Sequence, residues 1–301
     1  MTATLQLEHA SKSYDGTLAV NDVSFSVMPG TIFGLLGPNG AGKTSTIRMT
    51  IGILLPDDGT VRLFGAPLTR SSRRRIGYLP EERGLYRKMT VRDNLGFIGE
   101  LAGLSSRDAR ERGFKWTRRL QLDGWLDRKV EELSKGMQQK IQFIAALIHD
   151  PELVVLDEPF GGLDPINANE LKDIVLELKR QGRSVLLSTH RMDQAEKLCD
   201  EMCLINRGRA VLNGKLRALK AGTGKHSISI ELDGPADFLA ASPLVEHFNN
   251  FGNAAELTLH SEADSQEILR TAMARARVLR YEVREPSLEE IFINVVGRSD
   301  G

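Results

Sequence analysis

Residues 37–44 read Gly37-Pro38-Asn39-Gly40-Ala41-Gly42-Lys43-Thr44, which completes the pattern G-x-x-x-x-G-K-[ST] of a phosphate-binding loop. Upstream, Thr31 to Leu36 is a short β-favouring run, and downstream Thr44 to Ile53 carries apolar residues at helical spacing, so the loop is expected between a strand and a helix. Gly37, Gly40 and Gly42 let the backbone turn its N–H groups inward, where they and the positive helix end bind the α- and β-phosphates. Lys43 reaches toward the β- and γ-phosphates and the Thr44 hydroxyl toward Mg²⁺. The candidate nucleotide contacts in this stretch are Gly37, Pro38, Asn39, Gly40, Ala41, Gly42, Lys43, Thr44 and Ser45.

The 301 residues are 41% hydrophobic, with 40 basic and 40 acidic side chains. This is enough apolar content for a sizeable core and, by length, for about two domains. The balanced charge gives no reason to expect nucleic-acid binding. The apolar runs are too short to cross a bilayer, and residues 1–10 lack a signal-peptide pattern, so a cytoplasmic location is expected. Arg70–Arg75 is the dense basic cluster, read as a solvated rim before the strand Ile76 to Leu79. Cys199 and Cys203 stand one helical turn apart without the other ligands of a zinc site, and are expected to pack on a helix face as reduced thiols.

Short strands separated by turns at Asp15-Gly16, Pro29-Gly30 and Pro56–Gly59 fill residues 1 to about 66. From about 90 to 148 the spacing becomes helical and charged, and includes Trp116 and Trp125. Strands return at Leu153–Leu156 and Ser184–Ser188, separated by a helix from Pro165 to Lys179, an arrangement that implies a parallel sheet. A linker is expected at Ala221–Gly224, dividing residues 1–222 from a small α+β domain over 223–301. In that second part the pattern predicts strands at Ser227–Leu232, Ala255–His260 and Val278–Arg284, and helices at Asp264–Arg275 and Leu288–Val296.

The strand Leu153–Leu156 ends in Asp157-Glu158. Beside a triphosphate, Asp157 suits Mg²⁺, directly or through water, and Glu158 suits the attacking water, as its base or its orienter. With these residues in place the chain resembles the nucleotide-binding subunits of ABC transporters over residues 1 to about 220. Leu133-Ser134-Lys135-Gly136-Met137-Gln138-Gln139-Lys140 is similar to that family's signature, and Phe160–Pro165 to the loop after its catalytic glutamate. His190 matches the switch histidine, and Tyr14 the aromatic residue that stacks on adenine. The resemblance implies an α/β P-loop ATPase core, a mixed sheet with an antiparallel β subdomain and a helical insert at about 90–148. It also implies ATP and Mg²⁺ as cofactors. Ser134, Gly136 and Met137 would meet the nucleotide of the opposite subunit in a two-fold dimer, through the positive end of the helix that Ser134 caps.

Two departures stand out. The family usually places Gln after the strand corresponding to Ile76–Leu79 as a Mg²⁺ ligand, whereas here Pro80 is followed by Glu81 and Glu82. Glu81 is therefore assigned to metal and nucleotide, with stronger metal binding but added negative charge. The signature carries Lys135 and Met137 where Gly and Gln are usual. For Arg83–Thr90 two readings stay open, an ordinary loop or part of the cleft that receives a permease helix.

The tail around Pro286–Phe292 resembles the accessory domain of bacterial sodium-exporter and ABC-2 export subunits. The expected function is an ATPase driving export through a separate ABC-2-type or related permease, as a homodimer at the inner face of the cell membrane. The competing reading is a non-transport ATP-dependent switch with slow turnover, and a ribosome- or DNA-acting relative is disfavoured because neither a second cassette nor a long coiled-coil insertion is present.

Overall fold

The computed structural model describes residues 2–82, 84–221, 227–260, 264–284 and 286–297. The backbone divides into two units, 1–214 and 215–301. The linker expected at Ala221–Gly224 lies, from 222 onward, outside the described residues, as does Arg83 in the loop after Glu82.

In the first unit, β1 (Leu5–Tyr14) and β2 (Thr17–Val27) form a hairpin across the Asp15-Gly16 turn. Strand β3 (Ile32–Leu36) leads through the glycine-rich loop into α1 (Lys43–Thr50). Then come β4 (Asp58–Leu63), β5 (Ala66–Pro67), α2 (Arg70–Arg73) and β6 (Ile76–Leu79). The helical insert comprises α3 (Val91–Leu101), α4 (Ser106–Arg119) and α5 (Lys135–Leu147). Each of its helices starts at a hydroxyl cap: Thr90, Ser105 and Ser134 accept from the N–H groups of Asp93, Asp108 and Met137. After the insert follow β7 (Leu153–Asp157), α6 (Pro165–Arg180), β8 (Ser184–Thr189), α7 (Met192–Leu198), β9 (Glu201–Asn206) and β10 (Arg209–Lys215).

Strands β2-β1-β4-β5 make an antiparallel sheet. The central sheet runs β10-β9-β3-β8-β7-β6, with β9, β3, β8, β7 and β6 mutually parallel. Strand β10 follows β9 after the Arg207-Gly208 turn alone, too short for a parallel crossover, so the sheet is mixed. All residues of β3, β7 and β8 are buried, which explains their near-continuous apolar sequences. The core between the two sheets includes Leu5, Phe25, Phe33, Ile47 and Val155, with Phe25 and Phe33 stacked at 5.0 Å. The rim read at Arg70–Arg75 holds Arg70, Arg73 and Arg74 exposed, while Arg75 pairs with Glu152 and lies over Phe64.

The thiols depart from expectation. Helix α7 ends at Leu198, so Cys199 is its C-terminal cap and Cys203 lies in a strand. Asp200 decides this. Its N–H donates to Ile32 O at 2.9 Å and its carboxylate accepts from Ile32 N at 3.0 Å, which latches the chain onto β3 and starts β9. Pairing with β3 satisfies a full row of backbone groups and outweighs the helical spacing.

The second unit contains α8 (Leu216–Ala221), β11 (Ser227–Asp233), β12 (Val245–Asn250), β13 (Ala254–Leu259), α9 (Ser265–Arg275), β14 (Arg277–Arg284) and α10 (Leu288–Gly297). Its antiparallel sheet runs β12-β13-β11-β14. Ile228, Ile230, Leu257 and Leu259 bury one face together with Ile268 of α9. Strand β12 has no sequence counterpart above. It is an edge strand without a buried residue, so its sequence lacks the alternation that reveals the others.

Candidate nucleotide site

The loop after β3 adopts a backbone that its sequence is specialised to allow. Gly37 has φ of 148°, and a Cβ there would lie 2.1 Å from Ile205 O. Gly42 has φ of 106°, and a Cβ would lie 2.5 Å from Ala19 O. Gly42 is also the N-cap of α1, with no side-chain cap, so the first N–H groups of the helix are left for an anionic ligand. Pro38, Asn39 and Gly40 are exposed at the mouth, whereas Ala41 is buried. Lys43 is 7% exposed and donates from Nζ to Gly37 O at 2.8 Å and Pro38 O at 3.2 Å. Tyr14, 42% exposed, donates to Ser45 Oγ at 3.2 Å, which sets an open aromatic ring beside the start of α1.

The two carboxylates at the end of β7 are treated differently. Asp157 is fully buried, and its Oδ1 accepts from the Ser188 hydroxyl. Its Oδ2 accepts no well-formed hydrogen bond, and the Thr44 hydroxyl favours the ionised form. Burial holds the Asp157 carboxyl above the usual carboxylate range, opposed by Ser188, Thr44 and Lys43, with Glu158 adding to the upward push.

Glu158 takes a left-handed backbone, φ 48°, at a cost of about 1–2 kcal/mol. That turn is held by its N–H bonding to Ser188 Oγ at 3.1 Å and Ser188 O at 3.2 Å. Its Oε1 accepts from the His190 N–H at 2.9 Å, lies 2.9 Å from His190 Nδ1, and stands 3.6 Å from Lys43 Nζ. Three groups from two residues, His190 and Lys43, therefore converge on one carboxylate oxygen.

Glu81 follows β6, whose Leu79 pairs with Leu156 of β7, so Pro80 and Glu81 continue alongside the acidic end of β7. Gln142 of α5 fixes this segment by donating to Pro80 O and Glu82 O, both at 3.0 Å. Glu81 is exposed. Ser134 accepts from Met137 N at 3.2 Å, and a Cβ on Gly136 would meet Leu163 and Asn167 at ordinary contact distance. Among the described residues no hydrogen bond joins Ser134, Gly136 or Met137 to the phosphate loop, so the structure brings together Tyr14, the loop, Asp157, Glu158 and His190, but not the signature.

One participant was not legible in the sequence. Ser188 read only as the end of an apolar strand, yet its hydroxyl serves both carboxylates because β8 pairs Ser188 opposite Asp157.

A phosphate-loop strand at the centre of a mixed sheet, with an acidic strand one place further along beyond β8, defines a P-loop nucleotide-binding cassette. The family model described as ABC transporter matches residues 20–161, and that described as ATP-binding protein DrrA1-3-like, C-terminal domain, matches 214–296. The chain is 41% identical to the uncharacterised ABC transporter ATP-binding protein YhaQ of Bacillus subtilis (strain 168), over 97% of this chain and 98% of the relative. It is 38% identical to the Nod factor export ATP-binding protein I of Paraburkholderia xenovorans (strain LB400), over 98% of each. A solved ATP-binding subunit of an ABC transporter superposes with a TM-score of 0.69 at 33% identity, covering 74% of this chain and 94% of that one. The chain belongs to the family of ABC transporter ATP-binding subunits, which are ATPases.

Proposed function

We propose that this chain is the ATP-hydrolysing subunit of an exporter, working as a homodimer on a separate ABC-2-type permease at the inner face of the cell membrane. The observation that carries the reading is the Glu158 carboxylate, held between Lys43 and His190 next to a buried Asp157 oxygen without a partner. Among the described residues no helix is long and apolar enough to cross a membrane, so the pathway for a substrate has to come from another chain. The name of the Nod factor export relative and the match of the second unit support export.

The residues divide the work as follows. Tyr14 offers a face for adenine. Gly37 to Ser45 hold the phosphates through backbone N–H groups, and Lys43 neutralises them. Ser134, Gly136 and Met137 present the capped start of α5 to the nucleotide of the second subunit, which makes ATP part of the dimer contact. Glu158 orients and deprotonates water, and His190 fixes the carboxylate through its N–H and its ring.

The unpartnered Oδ2 of Asp157 and the Thr44 hydroxyl are hard oxygen donors that fit Mg²⁺, with Glu81 as a third. Bound there, Mg²⁺ would neutralise charge on the phosphates. Glu158→Gln tests the reading. ATP binding is expected to persist and the dimer to accumulate, while hydrolysis disappears. Hydrolysis retained in Glu158→Gln would remove the assigned base, and a wild-type chain that binds ATP without turnover would favour the switch.

A further inference from the structure

We propose that Arg70, Arg73 and Arg74 form a second anion site, for a phosphate-bearing ligand, at the start of β6. The nucleotide site lies past the other end of that strand, where Glu81 follows Leu79, so the two are distinct.

Helix α2 and its C-cap Arg74 make one continuous helical turn. Arg70, Arg73 and Arg74 stand at i, i+3 and i+4, and therefore on one face. Ser72 is buried instead. Thr69 Oγ1 accepts from Ser72 N at 3.2 Å and Ser72 Oγ from Thr69 N at 2.9 Å, a capping box that fixes how the turn presents its arginines. The three side chains line an open cavity of about 540 Å³ together with His149, Ile76 and Leu101, a size within the ~300–1,000 Å³ of small-molecule sites. Arg73 rests on the turn after α1, where a Cβ on Gly52 would lie 2.8 Å from its Nη2. His149 donates from Nε2 to Ile76 O at 3.0 Å, and its Nδ1 is buried without a partner.

The charges in this cavity have one sign. Among the described residues, no acidic side chain lines it, and no carboxylate pairs with Arg70, Arg73 or Arg74. Arg75 is the contrast, since it binds Glu152 through two nitrogens and lies over Phe64. Like charges on one helical face repel one another, and Arg70 stands in the first turn of α2, where the helix dipole disfavours a cation. A bound anion reverses both costs. One guanidinium fork satisfies a carboxylate, whereas a phosphate monoester offers three terminal oxygens and about two charges, enough to engage several arginines. Leu101, 66% exposed, adds an apolar surface to the same cavity, which suits a glycerol or acyl portion beside the phosphate.

The test uses the full chain with ADP and Mg²⁺ at saturation, so that the phosphate loop is filled. The probes are glycerol 3-phosphate, by calorimetry, and phosphatidylcholine vesicles with and without phosphatidic acid, by co-sedimentation. Wild type is expected to bind at least one phosphate probe. Replacing all three arginines by Gln should weaken that binding about tenfold or more, and Arg70→Gln or Arg74→Gln alone about threefold. Arg70 and Arg74 are exposed, so these single variants carry the test even if the triple variant does not fold. A charge-matched control, Arg110→Gln with Arg118→Gln and Arg180→Gln, removes three other exposed arginines and should stay within about twofold of wild type. Binding of glycerol 3-phosphate as well as acidic vesicles would assign a free phosphate ester, and binding of acidic vesicles alone a lipid headgroup. Wild type that binds neither probe, or equal losses in the two triple variants, would overturn the proposal. So would a matching loss of ADP affinity in the α2 variants, which would place these arginines in the nucleotide site.

Discussion

Replacing Ser188 by Ala removes a hydroxyl that donates to the fully buried Asp157 carboxylate and accepts from the Glu158 N–H at 3.1 Å. The bond to a charged group contributes about 1.5–3 kcal/mol, and its loss leaves Asp157 with two unpartnered oxygens. In a unit of this size that corresponds to a drop in Tm of about 3–12 °C. The penalty should depend on pH. Burial already raises the folded-state pKa of Asp157 above its unfolded value, so the folded protein binds more protons and stability falls as pH rises from the unfolded pKa through the folded one. Ser188→Ala raises the folded pKa further and extends that loss upward. Thermal denaturation in EDTA should therefore show the full penalty at pH 8 and a smaller one near pH 5, where Asp157 is more protonated. In an Asp157→Asn background the penalty should shrink to about 0.5–1.5 kcal/mol, the range of a neutral bond. An equal penalty at both pH values and in both backgrounds would refute the reasoning.

Three further outcomes can be checked. His190→Ala removes the ring but keeps a backbone N–H 2.9 Å from Glu158, so steady-state hydrolysis should fall about tenfold or more while ATP affinity by calorimetry stays near wild type. A Cβ on Gly34 would meet Cys199 Sγ at 2.8 Å, so Gly34→Ala should destabilise by about 1–3 kcal/mol in urea unfolding, and Cys199→Ala should relieve most of it. Both thiols are buried, with burial pushing each to about 12. At pH 8 they should resist a thiol reagent in the native chain and react once urea unfolds it.

The phosphate loop, the acidic strand and the order of strands and helices were readable because each depends on local chemistry: a turn that glycine permits, a buried run of apolar residues, a hydroxyl before a helix. The same locality misled the reading of Cys199 and Cys203, whose helical spacing gave way once Asp200 latched the chain to β3. Edge strand β12 was invisible because it buries nothing.

The sequence by itself determined which groups are the candidates for the chemistry: Lys43, Asp157 and Glu158 by residue type and order, and His190 through the family resemblance. Only the tertiary structure decided how they are held. Ser188 and Asp157 are separated by 30 intervening residues, and the bond between them exists because β7 and β8 lie side by side. Electrostatic partners act over ångströms of space, and separation along the chain carries no record of that distance.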